Sequence, residues 1–445
     1  MRKGKGGLGQ MVEELFFKYD VNCNRAADFS DAGVELKCTA LKKSKSDGSL
    51  KIKERLAGTM INYFEIIETK FEDSHVISKC NLMLILFYLY ISGTPFYDYE
   101  FLFRILWEIP EKDLIQIKND YNLIADKVRR GEAHLLSEGD TVYLGACRKG
   151  QKGEKLAAQP NSDIKAKKRA FSFKTKYMQT ILDCVLKSGT THYTNYSKVP
   201  EAKFELVSAE DLKHRPFEEI IVGRFNDYIG LNYLEICDKL GVKPYQSKNK
   251  YADVCGLIAS NGVSKRISNS EEFVKSGIAM KTIRLRPNGM PKEAMSFKNI
   301  DYCEVYENDI WEESEAYEIF TNRFMFIVFK PENGKTITVH NNKTGEDVTE
   351  QSYILDKVFF WTMPVEDLET AREYWEHIRE NVLADRINLD AFWSIKDHKG
   401  FHVRPKATKK IQLTVNPNGG ECEKYCYWLN ADYIKKIIDD YENVH

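Results

Sequence analysis

One stretch constrains this chain more than any other: Asp28-Phe-Ser-Asp-Ala-Gly-Val-Glu-Leu-Lys37. Val34 and Leu36 alternate with Glu35 and Lys37. That is the period of a strand, which sends the first pair to a core and sets the second pair side by side on the other face. Asp28 lies seven residues before Glu35, ahead of a Gly33 that lets the chain turn back. Two carboxylates and one ammonium thus gather at a strand end. Hard oxygen donors of this kind hold Mg2+, which keeps some waters and also takes phosphate oxygens. The ion acidifies a water and stabilises charge during phosphodiester cleavage, and a neighbouring lysine orients that water or neutralises the charge. The same pattern also describes an edge strand with a solvated charged face, and spacing alone does not separate the two.

The surroundings do. Upstream stands Gly6-Gly-Leu-Gly-Gln-Met-Val-Glu-Glu-Leu-Phe-Phe17; downstream stand Leu36-Lys-Cys-Thr-Ala-Leu41 and Lys53-Glu-Arg-Leu56. Together with the D-x6-E-x-K strand these resemble the MutH-like branch of the PD-(D/E)xK nucleases. Ala32–Lys37, His134–Gly139, Gln159–Ser172 and Asn430–Lys436 further resemble the two-domain, GATC-cutting type II restriction endonucleases of that branch. These segments run nearly from end to end of the chain.

At 445 residues the chain has room for two or three domains. Lys plus Arg number 65 and Asp plus Glu 66, so only the distribution of charge speaks to partners. No charged n-region leads into an apolar h-region, so no signal peptide is expected. The apolar run Leu82–Ile91 is too short to span a bilayer and reads as a buried strand or helix. Ten cysteines lack paired C-x-x-C spacing, which suits reduced thiols in a cytosol; the resemblance implies a bacterial cytoplasm.

Taken in order, residues 10–19 fit an amphipathic helix with Met11, Val12, Leu15, Phe16 and Tyr19 on one stripe. Glu13 and Glu14 both lie off that stripe, and periodicity does not choose between them. The resemblance places the acidic group at Glu13. Residues 41–55 read as a basic hairpin around Ser46-Asp-Gly-Ser49, suited to a phosphate backbone or simply to solvent. The resemblance also places Lys79 near the active site. Residues 113–130 read as a helix. Between Arg148 and Lys176 there are ten Lys or Arg and only two acids, Glu154 and Asp163, the strongest electrostatic footprint for a polyanion in the chain. Phe171 and Phe173 within it, and Tyr177 just after it, fit a core better than base stacking. Arg148 and Lys149 fall where the resemblance implies base reading, and a lysine there reaches guanine acceptors in the major groove. Where the MutH branch carries a tyrosine associated with sensing adenine methylation, this chain has Ser172.

The remainder repeats the first half at low identity. Ser276–Thr282 matches Ala32–Cys38, Trp311-Glu-Glu-Ser matches Phe71-Glu-Asp-Ser, and the spacing from Lys406 to Tyr433 matches that from Lys149 to Tyr177 within one residue. In this copy Ala279 replaces Glu35, Glu272 stands for Asp28, and Lys281 survives alone. It reads as catalytically dead, yet Phe401-His-Val-Arg-Pro-Lys-Ala407 keeps a MutH-like recognition motif through Arg404 and Lys406. A dimerisation or scaffold domain is the alternative for this copy.

The expected fold is α/β, with two tandem restriction-endonuclease-like domains, each a mixed sheet flanked by helices. The expected division is catalytic 1–190, linker 191–215 and a degenerate DNA-binding or effector domain 216–445. The resemblance implies a Mg2+-dependent type II endonuclease cutting before the G of GATC and leaving 5′ overhangs. Asp28, Glu35 and Glu13 would serve the metal, and Lys37 the water. Lys79, Arg148, Lys149, Arg404 and Lys406 would serve DNA, with self-association on DNA and no membrane partner. A nicking enzyme of mismatch repair shares the catalytic motif but resembles one copy only. A non-catalytic DNA-binding protein fits the intact first motif poorly.

Overall fold

The computed structural model describes residues 7–19, 27–44, 48–149, 155–193, 198–406 and 411–444. Gly6, Lys45 with the Ser46–Asp47 turn, Gly150–Glu154 of the basic stretch, and Ala407 lie outside them. The chain divides into two compact units, Met1–Ile220 with Ser268–Ile278, and Ile221–Ile267 with Ala279–His445.

In the first unit, α1 (Gly7–Met11) runs into a wider π-type turn over Val12–Phe16. Then follow β1 (Glu35–Lys43), β2 (Leu50–Ile52), β3 (Leu56–Met60), α2 (Tyr63–Ile66), α3 (His75–Cys80), β4 (Leu82–Leu89), β5 (Phe101–Glu108) and α4 (Glu111–Arg129). Next come β6 (Leu144–Arg148), β7 (Ala157–Gln159), β8 (Ser162–Ala166), β9 (Arg169–Phe173), α5 (Thr175–Ser188), β10 (His192–Tyr193) and α6 (Ala209–His214). The main sheet has the order β10-β5-β4-β1-β2 and a second sheet the order β3-β9-β6. β4 runs parallel to β1 and antiparallel to β5, so the main sheet is mixed. The apolar run becomes β4 because its alternate residues Met83, Ile85 and Phe87 are wholly buried in the sheet interior.

Two sequence expectations change here. The apolar stripe of residues 10–19 is not a buried face: Leu15 is 61% and Phe16 77% exposed. A π-type turn holds more residues than an α turn, so a 3.6-residue stripe does not stay aligned through it. Residues 191–215, expected as a linker, contribute β10 to the edge of the main sheet and α6, whose Ser208 and Asp211 form a capping box.

α7 (Phe217–Gly223) carries the chain onward to α8 (Tyr233–Lys239), α9 (Lys250–Ala259) and α10 (Glu271–Ser276), of which α10 belongs to the first unit. The second unit then has β11 (Ala279–Arg284), β12 (Met295–Asn299), α11 (Tyr302–Glu307), α12 (Glu315–Phe320), β13 (Arg323–Asn341), β14 (Glu346–Thr362) and α13 (Val365–Leu383). It closes with β15 (Phe401–Arg404), β16 (Leu413–Val415), β17 (Glu421–Glu423), β18 (Cys426–Leu429) and α14 (Ala431–Val444). Its three-stranded sheets are β11-β13-β14 and β12-β18-β15, and β16 pairs with β17.

The second unit repeats the first element by element. β11 runs parallel to β13 as β1 does to β4, and β12-β18-β15 has the antiparallel pairing of β3-β9-β6. Asn62 caps α2 through hydrogen bonds from Phe64 and Glu65 N–H, and Asp301 caps α11 the same way from Cys303 and Glu304. Pro110 and Pro364 stand before two helices of 19 residues each.

Candidate active site and DNA-reading segments

The end of β1 is built by the turn before it. Phe29 and Val34 form an antiparallel bridge, and Gly33 closes the turn at φ +65°, a conformation L side chains rarely adopt. Leu36 N–H donates to Asp28 Oδ2 at 2.9 Å, which ties that carboxylate to the strand. Glu35 is 3% exposed. Lys37 Nζ donates to its Oε1 at 2.6 Å, and Lys79 Nζ, from the last turn of α3, stands 3.6 Å from the same oxygen. The other oxygen, Glu35 Oε2, is buried without a hydrogen-bond partner among the described residues. A buried carboxylate oxygen left bare is costly unless something else satisfies it.

Glu13 faces this cluster from the π-type turn, whereas Glu14 is exposed. Burial, and then the charges of Asp28 and Glu35, push the Glu13 carboxyl above the ordinary carboxylate range. At Lys37 burial works against the charge, but Glu35 outweighs it and holds the ammonium above its usual value. The cluster therefore carries more carboxylate than ammonium. Among the described residues no three His, Cys, Asp or Glu side chains close around a common point. The donor set fits a hard dication held in an open site: the buried Glu35 lies among the charges of the partly exposed Asp28 and Glu13, and one of its oxygens is bare. Mg2+ is ordinarily held in this way, by one or two carboxylates with water and phosphate completing the shell.

The basic hairpin forms as β1 and β2, with Lys42 opposite Lys51. Part of its charge is committed internally: Lys53 Nζ lies 4.5 Å from the Tyr90 ring, and Arg55 pairs with Glu138. The same holds in the stretch from Arg148 to Lys176. Arg169 is buried and donates to the carbonyls of Ala146 and Leu136, and Lys174 donates to Thr141 O. Arg148 ends β6 opposite Arg169, and Lys149 N–H donates to Lys168 O at 2.9 Å. Both side chains stay partly exposed. Ser172 is buried within β9, where it pairs with Ala57 of β3 and Gly145 of β6.

Sequence reasoning missed Asp120. From inside α4 its carboxylate accepts the N–H groups of Val142, Tyr143 and Leu144 at 2.9, 2.7 and 2.8 Å. These bonds aim β6, and with it Arg148 and Lys149. In a helix rich in charge, nothing in the one-dimensional pattern distinguishes such a brace from a solvated acid.

In the second unit Ala279 pairs with Phe324 one residue into β13, the register at which Glu35 pairs with Met83 one residue into β4. Lys281 accordingly takes the place of Lys37. Glu272 does not stand for Asp28. It lies in the first unit, 2% exposed, accepting the N–H groups of Leu206 and Val207 and the ammonium of Lys112. It is a brace within that unit, because the chain takes a helix, α10, where the first copy has the turn before β1. The Arg404 guanidinium lies 3.8 Å over the Trp428 ring, and Lys406 Nζ donates to Phe297 O at 2.7 Å.

A family model described as DNA mismatch repair enzyme MutH matches residues 17–120, the span that holds Asp28, Glu35, Lys37 and Lys79. Fold and site together thus define a MutH-like nuclease. Over 99% of this chain and 94% of the relative, the sequence is 31% identical to the type II restriction enzyme Sau3AI of Staphylococcus aureus. The chain belongs to that family: it is a type II restriction endonuclease, a deoxyribonuclease acting on DNA. No described helix is long and apolar enough to cross a membrane.

Proposed function

We propose that the enzyme makes double-strand cuts in DNA at GATC, before the G, with Mg2+ as cofactor, in a bacterial cytoplasm. The observation that carries this reading is the buried Glu35, with one oxygen on Lys37 and the other bare. Asp28 and Glu35 are the metal-holding carboxylates, and Glu13 assists directly or through water. When bound, the ion supplies Lewis acidity to the phosphoryl group and to a water. Lys37, held on Glu35, orients the attacking water and carries positive charge toward the developing phosphorane-like transition state. Asp28, braced by Leu36 N–H, keeps its other oxygen available. Lys79 adds a second ammonium beside the scissile phosphate. No covalent enzyme intermediate is required.

Arg148 and Lys149 read the site from the end of β6. Arg404 and Lys406 take a second stretch of DNA, and chains associate on DNA so that two centres meet. Division of labour follows the two units: cleavage in Met1–Ile220 with Ser268–Ile278, and effector binding in Ile221–Ile267 with Ala279–His445. Plasmids with defined GATC sites, incubated with and without Mg2+, test the reading. Linear fragments with 5′ overhangs starting at GATC are expected only with Mg2+. Nicked circles would favour a strand-nicking enzyme, and gel retardation without cleavage a DNA-binding protein.

A further inference from the structure

The centre of the second unit has lost its carboxylate but not its cations. Lys281 Nζ donates to Ser296 O at 3.3 Å and lies 5.2 Å from the Phe297 ring centroid. Lys406 Nζ donates to the next carbonyl of the same strand, Phe297 O. A half-buried ammonium, Lys281, and an exposed one, Lys406, therefore both rest on β12, near enough for each to feel the other's charge. Among the described residues neither has a carboxylate in an ion pair, whereas Lys37 in the catalytic copy has Glu35. Burial, and then repulsion from Lys406, drive Lys281 down to about 8. Lys281 rests on a backbone dipole alone and is poorly compensated, and an anion held by it and Lys406 would relieve its desolvation and the repulsion between the two.

We propose that this vestigial centre is a phosphate site, in which Lys281 and Lys406 clamp one backbone phosphate of DNA bound by the second unit. In the first copy, carboxylates recruit a dication and the pair of charges serves a phosphate. In the second, Ala279 removes the dication's ligand and a second lysine supplies the charge instead. The ligand class stays the same while cleavage is lost. This rests on the reading that the second unit binds DNA.

The test uses the full chain with Glu35→Ala, so that DNA stays intact, and follows duplex binding by anisotropy from low to high salt. Lys281→Met is expected to weaken binding about fivefold to tenfold on GATC and scrambled duplexes alike, and to lower the slope of log affinity against log salt by about one. Lys281→Arg is expected to restore the slope. Unchanged affinity and slope in Lys281→Met would overturn the clamp, as would a loss of affinity with no change in slope. Arg404→Ala with Lys406→Ala separates the two readings. If that pair weakens binding while Lys281→Met does not, only the clamp fails. If neither has any effect, DNA binding by the second unit fails with it.

Discussion

Tyr177 Oη donates to Asp113 Oδ2 at 3.0 Å, from the third residue of α5 to the third residue of α4. The second unit repeats the bond: Tyr433 of α14 donates to Asp367 of α13 at 2.7 Å. In both copies it fastens the helix after the three-stranded antiparallel sheet to the start of the 19-residue helix. The copies differ in what else the aspartate meets. Asp113 is buried with Lys275 Nζ at 2.7 and 2.8 Å from its two oxygens, whereas Asp367 has Lys436 at 3.4 Å near the surface.

That difference sets unequal mutational costs. Tyr433→Phe removes one hydrogen bond and is expected to cost about 1 kcal/mol. Lys275→Met strands the buried Asp113 carboxylate and is expected to cost about 3–5 kcal/mol, because a buried charge without its partner keeps its full desolvation penalty. Urea unfolding of the two variants against the parent checks both. Equal losses would contradict the burial contrast.

The repeat is legible in sequence through residues that pack at fixed places, such as Tyr177 and Tyr433 or Phe71 and Trp311. The cluster at β1 is legible because strand alternation, one turn glycine and two local carboxylates depend only on near neighbours. Lys79 shows the reach of the resemblance, since nothing in its own neighbourhood points to Glu35. What is illegible depends on tertiary context. Glu272 has the right spacing for a counterpart of Asp28, but α10 carries it into the first unit. Asp120 gains its role only from three N–H groups more than twenty residues away. The burial of Ser172 comes from β9 lying between β3 and β6, which the resemblance alone does not give.

The catalytic cluster makes a separable prediction. Glu35→Ala and Lys37→Ala are expected to abolish cleavage yet leave DNA affinity within about tenfold, or 1.4 kcal/mol. In the proposed reading both side chains serve metal and water and not base edges: Lys37 is hydrogen-bonded to Glu35, and Glu35 is 3% exposed. Paired cleavage and filter-binding assays check this, and full activity in either variant would remove the residue from the centre.

Lys281 gives a pH signature independent of DNA. Its folded value of about 8 lies below the ordinary 10.5. Below pH 8 it is charged in both states, and folding carries the whole cost of burying that charge beside Lys406. Between pH 8 and 10.5 the folded chain gives up a proton that the unfolded chain keeps, so this contribution to stability rises with pH. The full shift corresponds to about 3 kcal/mol. Lys281→Met is therefore expected to melt higher than the parent at pH 7, with the gap closing toward pH 10. A gap that is constant across this range would mean that the lysine is not held charged against its surroundings.

How one chain cuts two strands follows from Ala279. That residue occupies the register of Glu35 in β11, so each chain carries one carboxylate centre. GATC is a palindrome whose two scissile bonds are related by a two-fold axis, and one centre cannot reach both without turning round. In the proposed reading two chains meet on DNA, each first unit taking one strand. A second unit holding another stretch of DNA raises the local concentration of its partner. The free protein is expected to sediment as a monomer and to associate once DNA is added. Double-strand cleavage is expected to run faster on a plasmid with two GATC sites than on one with a single site. Lys281→Met should narrow that difference without touching the centre at Glu35. A stable dimer in free solution, cutting both plasmids at one rate, would rule out assembly on DNA.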